Sequence, residues 1–185
     1  MIVKSFEINK INLEKYNLFL FYGENEGYKI ESIKNIHKKL INFKIIKYEE
    51  KEIIENSDNF MSEILNKSLF DEKKIIVINR SSDKSISIIK NLYSKVIFDT
   101  KIIFVSEILQ KKSKLRAYFE KEKQLICVPF YNDNESILVS LANNFFKKKN
   151  IHISNESINL IVQRSAGDRI NLYNEIKKIE NFSEK

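Results

Sequence analysis

The sequence has one cysteine, one proline, three glycines, no tryptophan and two histidines in 185 residues. A single thiol, Cys127, excludes an internal disulfide framework and any zinc site built mainly from cysteine. The histidines, His37 and His152, stand far apart in the chain, without the spacing of metal ligands, so a metal enzyme is not expected. So little Gly and Pro argues against collagen, a low-complexity linker or a turn-rich small β sandwich. Uninterrupted apolar runs are only a few residues long, too short to cross a bilayer. The start, Met-Ile-Val-Lys-Ser-Phe-Glu, lacks the charged-then-apolar pattern of a signal peptide, and the expected location is the cytoplasm.

What is abundant is hydrophobic residues (43%) and charge (31%), a balance that buries a core and argues against disorder. The formal net charge is +7, carried by 28 Lys against only 4 Arg, beside 31 Ile and 21 Asn. Lys, Ile and Asn are the residues an AT-rich genome favours, so base composition alone accounts for much of this profile. Arg, whose planar fork binds guanine and phosphate in paired hydrogen bonds, is nearly missing. The basic excess permits contact with nucleic acid without demonstrating it.

Short apolar runs alternate with segments of helical period, the pattern of a parallel sheet with crossover helices. Strands are expected at Leu18 to Tyr22, Phe43 to Tyr48, Lys74 to Asn79, Lys101 to Val105 and Leu125 to Val128, the last ended by Pro129. The first helix carries a stripe of Ile30, Ile33, Ile36, His37, Leu40 and Ile41. A single second helix is expected around Ile53, Ile54, Phe60, Met61, Ile64 and Leu65, a third over Ser85 to Ile97, and a short one over Ser113 to Lys121. After Pro129 the strands stop. Asp133 or Asn134 can cap a helix bearing Ile137, Leu138, Leu141, Ala142, Phe145 and Phe146 on one side, Ser154 to Ser165 forms another, and Gly167 suits a left-handed stop before a third that starts at Asp168. The expected division is an α/β domain over 1–131 and a small all-helical domain over 132–185.

Gly23 to Lys29 (Gly-Glu-Asn-Glu-Gly-Tyr-Lys) follows the first strand, where a nucleotide-binding fold keeps its phosphate loop. A working loop needs four residues between its glycines, then Lys and Ser/Thr. Here three residues separate Gly23 from Gly27, Tyr28 and Ile30 displace the expected residues, and Glu24 and Glu26 repel phosphate. A plain strand-to-helix turn is the better reading. Hydrolysis also needs acidic residues at the end of a central strand to hold Mg²⁺, whereas these strands end in Asn79-Arg80 and Ser106-Glu107. Glu107 alone reads as a solvated charge, Cys127 as a buried strand residue, and no Ser, His and Asp set can be assembled. No cofactor, no metal and no catalysis by the isolated chain is expected. Leu69 and Phe70 sit in a polar surround of Asn66, Lys67, Asp71, Glu72 and Lys73. They either tuck under the sheet edge or form an exposed pair that enters a partner's pocket. Lys111, Lys112 and Lys114, and Lys147 to Lys149, are solvated charges or phosphate contacts.

Taken in order, several stretches resemble the delta subunit of bacterial DNA polymerase III, the clamp-loader subunit that opens the sliding clamp. They are Leu20 to Glu26, Asn66 to Ile78, Lys101 to Val105, Lys112-Ser113-Lys114-Leu115, and Gly167 to Lys178, the last similar to the family's Gly-Asp-x-x-x-Leu-x-Asn-Glu-x-x-Lys. The resemblance implies an ATPase-like (AAA+ type) α/β domain without a working phosphate loop, then a small helical domain. The family's third, collar domain is expected to be absent from these residues. It also implies that Ser68, Leu69 and Phe70 bind the clamp, with Leu69 and Phe70 as a hydrophobic plug. The implied partners are the sliding clamp (beta), the other clamp-loader subunits, and primer-template DNA, held weakly by this chain alone; no membrane is implied. An NTPase of the same fold and a general DNA-binding protein are the alternatives.

Overall fold

The computed structural model describes residues 1–65, 73–95 and 99–183. Five strands, β1 (Leu18–Gly23), β2 (Phe43–Glu49), β3 (Lys73–Asn79), β4 (Thr100–Ser106) and β5 (Leu125–Phe130), form one sheet in the order β2-β3-β4-β1-β5. Every neighbouring pair is parallel. Parallel pairing demands a crossover between strands, and the helices supply it. They are α1 (Glu26–Lys39), α2 (Glu50–Glu55), α3 (Ser57–Leu65), α4 (Ile86–Tyr93) and α5 (Lys114–Lys121). Three more, α6 (Glu135–Lys148), α7 (Asn155–Arg164) and α8 (Arg169–Ser183), follow β5. Among the described residues no helix is long and apolar enough to cross a membrane.

The chain divides into two compact units, Met1–Gly23 with Glu31–Phe130, and Glu24–Ile30 with Tyr131–Lys185. In the first, β1, β4 and β5 are buried along their whole length, as sheet strands covered on both faces must be. One face packs Leu20, Ile76, Ile78, Ile102 and Phe104 against Leu115 and Phe119 of α5 and Ile89 and Leu92 of α4. The Phe104 and Phe119 rings meet nearly edge-on, with centroids 6.0 Å apart. In the second unit, Leu138, Ala142 and Phe146 of α6 close on Ile158, Ile161 and Val162 of α7 and Leu172 and Ile176 of α8.

Several expectations are corrected. The stretch from Ile53 to Leu65 is two helices, because Asn56 (φ −120°, ψ 41°) leaves helical geometry after α2, and its carbonyl then accepts from the Phe60 N–H at 3.0 Å. The isoleucine stripe expected on α1 meets the buried face only at Ile36, with Ile33, His37 and Leu40 half-buried. Ile30 and Ile41 are 44% and 84% exposed, while Asn25, Lys29, Ser32 and Ile36, at the same helical spacing, are buried. Hydrogen bonds and an ion pair let Asn25 and Lys29 be buried, and periodicity of apolar residues is blind to that, whereas Ser32 Oγ is buried with no hydrogen-bond partner. The helix expected over Ser85 to Ile97 is the shorter α4, preceded by a 3₁₀ turn at Asp83–Ser85.

Pro129 lies inside β5 rather than ending it, and the pairing explains how. β5 is an edge strand, and Cys127 turns its N–H and C=O outward to Met1 O and Val3 N, both at 2.9 Å. Two residues on, Pro129 faces the same outer side, where no N–H is required. On the opposite edge, β2 exposes Lys44 and Lys47, charges that discourage pairing with another sheet.

Candidate functional site

Two places on this fold bear on chemistry: the turn after β1 and the carboxyl ends of β3 and β4. At the first, Gly23 has φ +124°, and a Cβ there would lie 2.2 Å from the Phe130 carbonyl oxygen. Its register opposite Phe130 in the β1–β5 ladder, and its N–H donated to Glu107 O at 3.1 Å, account for the glycine. Gly27 is a packing glycine as well, since a Cβ would fall 2.9 Å from Arg169 Cβ. Neither glycine is required by a phosphate.

The groups around Gly27 satisfy one another. Asn25 Oδ1 accepts from the Tyr28 N–H at 3.0 Å, capping the first turn of α1. Its Nδ2 donates to Asp133 Oδ2 at 2.8 Å and to Tyr131 O at 3.1 Å. Asp133 in turn holds Arg169 in a two-bond fork, Nε at 2.7 Å and Nη2 at 2.6 Å, with both side chains 4% exposed. The guanidinium carbon stands 3.8 Å from the centre of the Tyr28 ring. Lys29, fully buried, pairs with the carboxylate of Glu26, and Asn132 donates to that of Glu24. The positive end of α1 therefore already has internal acceptors and acids where a phosphate loop would offer free N–H groups. Of the two expected caps, Asn134 serves α6, accepting from Ile137 N at 2.9 Å, and Asp133 is left for Arg169. Neither Asp133 nor Arg169 was singled out in the sequence for this pairing; the fork joins residues 36 apart, and no local pattern announces it.

At the carboxyl ends, β3 is followed by Arg80 in the left-handed region (φ +53°), and Glu107 after β4 is exposed. The structure adds two acids that strand-end reasoning missed, Glu50 and Asp83. Glu50 accepts from Ser82 N at 2.6 Å and from the hydroxyls of Ser82 and Ser85. Asp83 accepts from the Leu115 N–H at 2.9 Å and from Ser113 Oγ at 2.7 Å, at the start of α5. These two hydrogen bonds, the backbone one foremost, hold the Asp83 carboxyl below the usual range. Both acids serve as caps, and among the described residues no group of three His, Cys, Asp or Glu side chains gathers for a metal.

The other sequence-marked residues fall as follows. Cys127 is buried in β5, and burial pushes its thiol up to about 12, unreactive at neutral pH. His37 Nε2 lies 2.8 Å from Phe43 O, and His152 is exposed. Lys111, Lys112, Lys114, Lys147 and Lys148 are exposed, while Lys149 pairs with Glu180 at 2.6 Å. Ser68, Leu69 and Phe70 lie outside the described residues, in the seven-residue connection from α3 to β3. At its two ends, Ile64 is buried in the core and Lys74 pairs with Glu63 at 3.5 Å.

A parallel sheet ordered β2-β3-β4-β1-β5 with an all-helical unit after it defines an AAA+-like fold. Among solved structures the chain is similar to the DNA clamp loader delta protein YqeN of Bacillus subtilis, with TM-score 0.61 and 16% identity over 96% of this chain and 57% of that one. It is also similar to a RuvB variant of Thermotoga maritima, with TM-score 0.59 and 14% identity over 89% of this chain and 54% of that one. In sequence it is homologous to a protein described as a probable DNA polymerase III subunit delta from Rickettsia prowazekii (strain Madrid E), 30% identical over 176 residues. That alignment covers 91% of this chain and 51% of the relative, so the chain spans about half the relative's length. No family model matches. The resemblance to the delta subunit drawn from the sequence motifs thus holds over nearly the whole chain.

Two outcomes are expected from these geometries. Asp133→Ala leaves the Arg169 guanidinium buried without its acceptor and should cost about 3–5 kcal/mol in urea unfolding, whereas Asp133→Leu with Arg169→Met should recover much of that loss. A double variant no more stable than Asp133→Ala would show that the ion pair is not the source of the loss. Because the folded Asp83 carboxyl titrates below its unfolded value, its stabilisation is complete above about pH 4 and disappears as pH falls through the lower folded value. Thermal melts across this acid range should show Asp83→Asn converging on the unsubstituted chain as the pH drops; a gap independent of pH would contradict this.

Proposed function

We propose that this chain is the clamp-engaging part of a DNA polymerase III clamp-loader delta subunit and hydrolyses no ATP of its own. The observation that carries the reading is the homology with a delta subunit over 91% of the chain. The internal capping of α1 by Asn25, with Asp133 and Arg169 behind it, supports the view that the Gly23 to Lys29 turn takes no nucleotide. In this reading residues 1–131 are the ATPase-like domain and 132–185 the small helical domain. The protein works in the cytoplasm with the other clamp-loader subunits and with primer-template DNA.

Ser68, Leu69 and Phe70 form the clamp-binding element, with Leu69 and Phe70 as the plug. Burying a Leu and a Phe side chain contributes about 3–6 kcal/mol before association costs. Such an amount holds a clamp but does not break a closed ring simply by binding. The plug must prefer the distorted clamp interface to the closed one, which moves the population toward the open ring. ATP binding in neighbouring motor subunits then controls when the plug reaches the clamp. Ser68 shapes the turn that presents the two apolar side chains.

Two measurements test this. Leu69→Ala with Phe70→Ala should abolish surface capture of the sliding clamp and leave the melting temperature nearly unchanged. Truncating two core residues would instead cost roughly 2–5 kcal/mol each and lower the melting temperature markedly. Retained capture, or a large melting loss, would return the pair to the core. Titration calorimetry with Mg²⁺ and ATP should show no saturable heat; saturable binding would favour the alternative of an NTPase of this fold.

A further inference from the structure

The N-terminal edge of the sheet at β1 and β5 carries a cleft that the clamp reading does not use. A cavity of about 650 Å³ opens between Lys15 and Tyr16, before β1, and Lys121, Lys123 and Gln124, before β5, with Met1 and Glu120 also on its wall. A smaller hollow beside it, bordered by Lys95, shares Lys15 and Gln124 in its lining. The combined space lies in the range that takes small ligands or segments of larger ones.

Lys15, Lys95, Lys121 and Lys123 are all exposed, and none makes an ion pair among the described residues. Of the nearby acids, Glu120, on the cleft wall, bonds Arg116 Nε at 2.7 Å, Glu122 accepts from the Tyr93 hydroxyl at 3.1 Å, and Glu14, next to Lys15, is exposed. The Lys15 ammonium lies 5.9 Å from the centre of the Tyr16 ring, so a cation and an aromatic side chain stand together. The turn that carries them is held from below. Lys101, only 6% exposed, donates to Tyr16 O at 2.9 Å and to Asn17 Oδ1 at 2.8 Å.

We propose that this cleft binds the phosphate backbone of a single nucleic-acid strand, with the four lysines meeting successive phosphates and Tyr16 offering a surface for a base. Cations strung along two adjacent hollows suit a repeating anion better than a compact one, which would need convergent donors. Lysine-borne contact of this kind is sequence-tolerant and strongly salt-dependent. The proposal names a surface beyond the clamp-binding element and stands or falls separately, because clamp capture and strand binding are read in different assays.

The test is fluorescence anisotropy of a labelled oligothymidylate of about 12 nucleotides with the whole chain, across a salt series starting near 50 mM. The triple variant Lys15→Gln, Lys121→Gln, Lys123→Gln should bind about tenfold more weakly and reduce the salt slope by roughly 2. The control triple Lys147→Gln, Lys148→Gln, Lys177→Gln removes the same charge from the helical unit and should stay within about twofold of the unsubstituted chain. Equal loss in both triples would mean that diffuse charge alone is at work and would overturn the site. No binding by the unsubstituted chain at the lowest salt would do the same. So would inorganic tripolyphosphate displacing the strand as well as unlabelled oligothymidylate does at equal phosphate.

Discussion

Arg169 brings a permanent positive charge into the interior of the helical unit, and the arrangement around it follows from the need to satisfy that charge. The Asp133 carboxylate meets it with two hydrogen bonds and spends its remaining acceptor capacity on Asn25. Asn25 can then turn its other end to the Tyr28 N–H and start α1. The ring of Tyr28 lies against the guanidinium, and Gly27 leaves room for the Arg169 Cβ. Removing one partner would strand a charge away from water, which is why five residues distant in sequence are interdependent here.

The same economy operates at the carboxyl ends of the strands. Acids that could hold a metal in an NTPase are here bound to backbone N–H groups and serine hydroxyls: Glu50 to Ser82 and Ser85, Asp83 to Ser113 and Leu115. A fold shared with RuvB thus carries side chains arranged for holding loops in place. Fold likeness by itself says little about activity, and the local hydrogen-bond partners say more.

The basic character of the chain also divides once the structure is known. Lys29 and Lys101 are buried and structural, and Lys73, Lys74 and Lys149 sit in ion pairs. The cluster around Lys15 and Lys123 is different, because its positive charge faces open space. Net charge alone, +7, could not distinguish these roles.

The apolar runs Leu18 to Tyr22, Lys74 to Asn79 and Lys101 to Val105 determined the parallel sheet, since strands covered on both faces leave a continuous hydrophobic signature. Ser113, Asn134, Ser154 and Gly167 likewise marked helix ends, because caps and left-handed stops act within a few residues. The spacing from Gly23 to Gly27 argued against a phosphate loop from sequence alone. Only the tertiary structure decided what those glycines serve, which face of α1 is buried, that Pro129 belongs to β5, and that Asp133 takes Arg169 rather than a helix end. Each of these depends on groups brought together across long stretches of chain, where hydrogen-bond satisfaction and steric room, not local periodicity, select the partner.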